Sequence, residues 1–113
     1  MSNDNKEHIQ LEDRIIIKRV LEVLDSIESV SRLSGNLFDA FARNILGSDV
    51  TQGIDIDRDK KGITVNIHLI VVYGVNIPQL SYDIQMKIMN ILEKKEGINI
   101  EAINIIVEGI DRK

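Results

Sequence analysis

Few residues in this chain are spaced for chemistry, and each candidate group departs from the pattern it evokes. Asp55-Ile56-Asp57-Arg58-Asp59 puts three carboxylates at alternate positions, as hard oxygen ligands are placed in a calcium-binding loop. Position six of such a loop would be Lys60, where the sharp turn needs Gly. Position twelve would be Asn66, where a bidentate Glu belongs. Alternation also puts Asp55 and Asp57 on one side of a strand, which reads as solvated surface charge. His8 and His68 are the only histidines and there is no Cys, so no zinc ligand set is spelled out and neither a metal nor a cofactor is expected. General acid–base work by His68 would require a Ser, Asp or Glu brought beside it by the fold. A histidine on the more polar face of a strand is the plainer reading.

Phosphate-cradling and nucleophile-elbow motifs are absent: the chain contains no G-x-x-x-x-G-K-[ST], G-x-G-x-x-G or G-x-S-x-G. Gly47-Ser48-Asp49-Val50-Thr51-Gln52-Gly53 is bounded by glycines and polar, but it lacks a lysine and precedes a strand, so it reads as an ordinary loop. A small α/β domain raises the thought of a KH-like RNA-binding module. Its G-x-x-G clamp is missing, and the net charge of −4 repels phosphate backbones. No nucleic-acid partner is expected, and no catalytic residues are assigned; the reading is of a protein that is not an enzyme.

The 113 residues suffice for one modest core. Absence of Cys suits a reducing compartment. Met1–Glu7 has neither a basic nor an apolar segment, so no secretory signal is expected. The longest apolar run, Ile67–Tyr73, contains His68 and falls far short of the ~20 residues that span a bilayer. These features predict a cytoplasmic protein with no direct membrane insertion, any membrane association coming through a partner.

The elements follow from periodicity. Residues 1–8 read as a flexible polar tail and 9–113 as a single domain. A helix is predicted from Asp13, as N-cap, to Ser26, with Ile17, Val20, Leu21, Leu24 and Ile27 as its stripe and Ile16 and Val23 widening it. Ser29–Leu33 alternates as a short strand. Ser34-Gly35-Asn36 breaks the chain, and residues 37–46 form a second helix bearing Phe38 and Phe41, either packed on the core or docking a partner. Gly53–Asp57 and Ile63–Tyr73 pair as a hairpin across a charged turn. On the long strand Val65, Ile67, Leu69, Val71 and Tyr73 share one face, and Thr64, Asn66, His68, Ile70 and Val72 the other.

Tyr73-Gly74-Val75-Asn76 ends that strand and opens the best-signalled helix. Asn76 with Gln79 spells a capping box, Val75 with Leu80 a hydrophobic staple, and Pro78 falls in the first turn. Ile77, Leu80, Ile84, Ile88, Ile91 and Leu92 form its core stripe; Tyr82, Met86 and Met89 form a second strip. Gly97 and Ile98 supply the stop. Ile103–Val107 is then a strand, parallel to the long one through a right-handed crossover. The prediction is an α+β two-layer sandwich, order α-β-α-β-β-α-β, with a small mixed sheet and helices mainly on one face. Ile70, Val72 and Ile106 then lie on the face opposite those helices. Either another helix covers them or they form an interface for self-association.

Read in order, Ile67–Gly74, Ile77-Pro78, Ile84-Gln85, Gly97 and Ile103-Asn104-Ile105-Ile106-Val107 resemble the alkaline shock protein family, small bacterial envelope-stress proteins common in Gram-positive organisms. Tyr73, Gly74, Asn76, Gln85, Gly97 and Asn104 fall on its signature, as structural positions. Ser29-Val30 stands where many members have Gly-Val, and Glu96 where Thr precedes the glycine. The resemblance implies a non-enzymatic cytoplasmic protein of cell-envelope homeostasis, acting as a scaffold or adaptor. Its partner would be a membrane-anchored protein, a second copy of itself, or both. An alternative is a regulatory binding module for a lipid-metabolism enzyme.

Overall fold

The computed structural model describes residues 3–34 and 53–112, with side chains from Leu11 onward. The predicted helix over 37–46, with Phe38 and Phe41, lies outside the described residues.

Helix α1 runs Asn3–Asp25. It therefore begins well before Asp13, and residues 3–8 carry helical backbone where a frayed tail was predicted. Nothing between Asn3 and Asp25 is Gly or Pro, and Lys6, Glu7, Gln10 and Glu12 are good helix formers, so nothing stops the helix from extending past the possible cap. Asp13 is instead an interior residue: its carboxylate lies 2.5 Å from Arg58 Nη2, beside Glu12 at 3.0 Å. The buried stripe is Ile16, Val20, Val23 and Leu24, with Ile17 and Ile27 half-buried. Leu21, predicted to be part of it, is 39% exposed, because the packed face is turned toward Ile16 and Val23. The last turn tightens through Ser26 N–H donating to the Val23 carbonyl at 3.1 Å and Ile27 N–H to that of Leu24 at 3.1 Å.

The described residues form four strands: β1 (Val30–Leu33), β2 (Ile54–Asp59), β3 (Gly62–Val72) and β4 (Ile100–Asp111). β3 is the central strand. β4 lies parallel along its whole length, from Ile63↔Ile100 to Val72↔Asp111. The other edge of β3 is shared. β2 pairs antiparallel with its first half, from Asp59↔Gly62 to Ile54↔Ile67, and β1 antiparallel with its second, Leu33↔Leu69 and Val30↔Val71. The sheet is thus mixed, as predicted. The β2–β3 turn is closed by Asp59 Oδ1, which accepts from Lys61 N–H at 2.8 Å and Gly62 N–H at 3.2 Å.

Helix α2 (Ile77–Asn90) continues into a π-helical turn, Ile91–Lys95. Leu80, Ile84, Ile88 and Leu92 are buried, while Ile77 and Ile91 lie half-buried at the margin. These side chains meet Ile63, Val65, Ile67, Leu69 and Val71 of β3 and the α1 stripe in one core. Both described helices therefore cover one face, and β3 alternates strictly between buried and half-buried positions. Arg19 ties the two helices together, its Nε 2.5 Å from Glu96 Oε2, and that pairing raises the guanidinium pKa further.

Candidate interaction surface

The strand-to-helix junction is a tight turn. Val75 N–H donates to the Val72 carbonyl at 3.3 Å, and Gly74 sits at φ +91°, the left-handed backbone that a type II turn demands at its third residue. Tyr73 is not on the buried face it was grouped with. It lies past the end of β3, 63% exposed, with the Arg112 guanidinium carbon 4.8 Å from its ring centroid. Asn76 caps α2 as predicted, its Oδ1 accepting from Gln79 N–H at 3.1 Å. The return half of the capping box is not made: Gln79 Nε2 donates forward to Asp83 Oδ1 at 2.9 Å. Its side chain serves an i,i+4 pair on the helix surface instead.

Gln85 has a role that helix periodicity does not reveal. Its Nε2 donates to the Ile103 carbonyl at 2.9 Å, fastening α2 to β4, which pairs only with β3 among the described strands. At the far end of the helix Gly97 takes φ +68°, and Ile98 N–H donates to the Leu92 carbonyl at 2.9 Å while Ile98 is buried. That is the left-handed stop with its apolar contact.

The face of the sheet away from the helices carries two rows of polar side chains. Asn104 Nδ2 donates to Asn66 Oδ1 at 2.9 Å, and Asn66 Nδ2 to Asp57 Oδ2 at 3.3 Å, crossing β4, β3 and β2. One step along, His68 Nδ1 lies 2.7 Å from Glu108 Oε2 and its Nε2 3.3 Å from Asp55 Oδ2. The neutral ring donates to one of these carboxylates, the imidazolium to both. Ser34 Oγ donates to Glu108 Oε1 at 2.5 Å, and together with His68 it holds the Glu108 carboxyl below the usual carboxylate range. Because Ser34 donates to the carboxylate and not to the imidazole, this trio does not assemble a nucleophile with its base. Among the described residues no cluster of three or more His, Asp or Glu is arranged to hold a metal ion.

Ile70, Val72 and Ile106 all lie on this face and are half-buried. β4 gains one residue between Val107 and Gly109, so Ile70 faces Gly109 across the strands. A Cβ placed on Gly109 would come within 2.9 Å of Ile70 Cδ1, so the isoleucine lies over the bare glycine backbone. The extra residue is Glu108, which shares the face of Ile106 and His68 and reaches back to the imidazole. Composition gave no signal for that bulge. The pairing of His68 with Asp55 hung on the register of the predicted hairpin, and that with Glu108, 40 residues on, gave no local signal.

The chain is 26% identical over 100 residues to the uncharacterized protein YqhY of Bacillus subtilis, covering 84% of this chain and 74% of that one. It is 32% identical over 103 residues to the uncharacterized protein Spy1535 of Streptococcus pyogenes serotype M6, covering 85% and 77%. A shorter stretch of 60 residues is 23% identical to YloU of Bacillus subtilis, 53% of this chain and 50% of that one. No solved structure matches significantly. The family model that matches spans residues 1–112, and the chain belongs to the alkaline shock protein 23 family, whose described role is a cell envelope-related function.

Proposed function

We propose that this protein serves the cell envelope as a non-catalytic scaffold or adaptor, working through contacts with other proteins. The observation that carries this reading is the family match over residues 1–112 with its cell envelope-related function. Two features support it. Among the described residues no helix is long and apolar enough to cross a membrane, so attachment there would come through a membrane-anchored partner. Ile70, Val72 and Ile106 lie on a face that neither described helix covers, which suits a second copy of the chain.

The test is a pull-down of the tagged whole chain from detergent-solubilised native cells, with partners identified by mass spectrometry. Recovery of a small integral membrane protein together with untagged copies of the chain is the expected result. Recovery of a soluble lipid-synthesis enzyme without any membrane anchor would overturn the scaffold in favour of a regulatory binding module.

A further inference from the structure

Between the C-terminal half of α1 and β1 lies an open groove of about 560 Å³. Leu21, Leu24, Ile27, Val30 and Leu33 give it an apolar lining. Leu21 faces outward from α1 and is exposed there, although it sits at helical spacing from the core stripe. Three acidic residues, Glu22, Asp25 and Glu28, line the same groove, and Arg32 is the single base among its described lining residues. Arg19 is committed elsewhere: it reaches Glu22 at 3.2 Å but holds Glu96 at 2.5 Å.

The acidic side is placed against the local electrostatic rule. α1 ends with no basic residue in its last turn, and Asp25 closes it. The exposed carbonyls of a helix C-terminus already carry negative partial charge, so a carboxylate there is repelled. Local conflicts of this kind are expected at functional or strained sites. A negative field over an apolar floor also turns away anionic lipid and nucleic acid, and selects a cationic polypeptide.

We propose that this groove receives a Lys/Arg-rich amphipathic helix presented by a protein partner. Its apolar side chains, spaced i, i+3, i+4 and i+7, fill the floor formed by Leu21, Leu24, Ile27, Val30 and Leu33. Its cations lie along Glu22, Asp25 and Glu28. The proposal rests on the adaptor reading and names one docking site and the chemistry that fits it.

The experiment uses the whole chain and a fluorescein-labelled amphipathic peptide of Leu and Lys, with binding followed by fluorescence anisotropy. Saturable binding that weakens with added salt is expected. Asp25→Lys combined with Glu28→Lys should weaken it roughly tenfold, as charge reversal at a complementary rim does. Leu21→Ser should weaken it with no change of net charge. Asp57→Lys combined with Glu101→Lys makes the same change of net charge at the end of the sheet opposite β1 and should leave affinity unaltered. Absence of binding by the unaltered chain overturns the proposal, whether the groove is too shallow or filled by the chain itself. Equal weakening by the distant pair overturns it too, as does equal binding of a scrambled peptide lacking an apolar face. The adaptor reading fails separately: it falls if the pull-down recovers no membrane protein. The groove alone falls if the Asp25→Lys, Glu28→Lys chain recovers that protein as well as the unaltered one does.

Discussion

His68 Nδ1 stands 2.7 Å from Glu108 Oε2, the residue that β4 adds where its register against β3 shifts after Val107. Ser34 and His68 both favour the ionised carboxylate, so the Glu108 pKa is lower in the folded chain than in the unfolded one. Stability from this group is fully present above the ordinary carboxylate pKa and is lost as pH falls through the lowered value. Melting temperature measured against pH should therefore drop at the acid end, and Glu108→Gln should flatten that limb. Parallel curves for the two proteins would remove the Glu108 contribution from the account.

Gly74 is held by backbone conformation and not by crowding. At φ +91° it has nothing within 4 Å of where a Cβ would stand. Gly74→Val should cost about 1–3 kcal/mol in urea unfolding, and Gly74→Ala nearly as much. Gly74→Asn should cost less, because Asn visits the left-handed region more readily. Equal stability of the Val variant and the native chain would contradict this.

The bond from Gln85 to the Ile103 carbonyl predicts a specific loss. Gln85→Leu keeps the side-chain bulk but leaves that carbonyl without its donor, at a cost of about 1 kcal/mol. Hydrogen exchange should then rise in β4 before it rises in β3. Unchanged denaturant midpoints would mean that water replaces the side chain at no cost.

Self-association is tested on the open face. Ile70→Lys with Ile106→Lys replaces two half-buried side chains that lie outside the helix-covered core. Light scattering should show a lower oligomer mass with circular dichroism unchanged. An unaltered mass would place any self-contact elsewhere.

Much of the architecture was legible in the sequence because the signals were local and mutually consistent. Asn76, Pro78 and Gly97 mark both ends of α2, and alternation along β3 marks its buried face without exception from Ile63 to Val71. Misreadings arose where two local signals competed. Asp13 could cap a helix, yet residues before it also favour helix, and Arg58 supplied a partner that made it an interior residue. Gln79 could complete a capping box, yet Asp83 offered it a bond one turn ahead. The contact between distant strands at His68–Glu108, the hairpin contact Asp55–His68 and the tie from Gln85 to β4 all depend on register, which single-chain periodicity does not specify.

β1 and β2 meet end to end beside one residue of β3. His68 donates its N–H to the Gly53 carbonyl at 2.7 Å and accepts on its own carbonyl from Ser34 N–H at 2.8 Å. Ser34 and Gly53 therefore stand on either side of a single peptide step of the central strand, and β1 and β2 act as one continuous edge although they are separate in sequence. The register of that edge is set twice, once by each short strand, and a slip of either one has to break its bond to the His68 peptide.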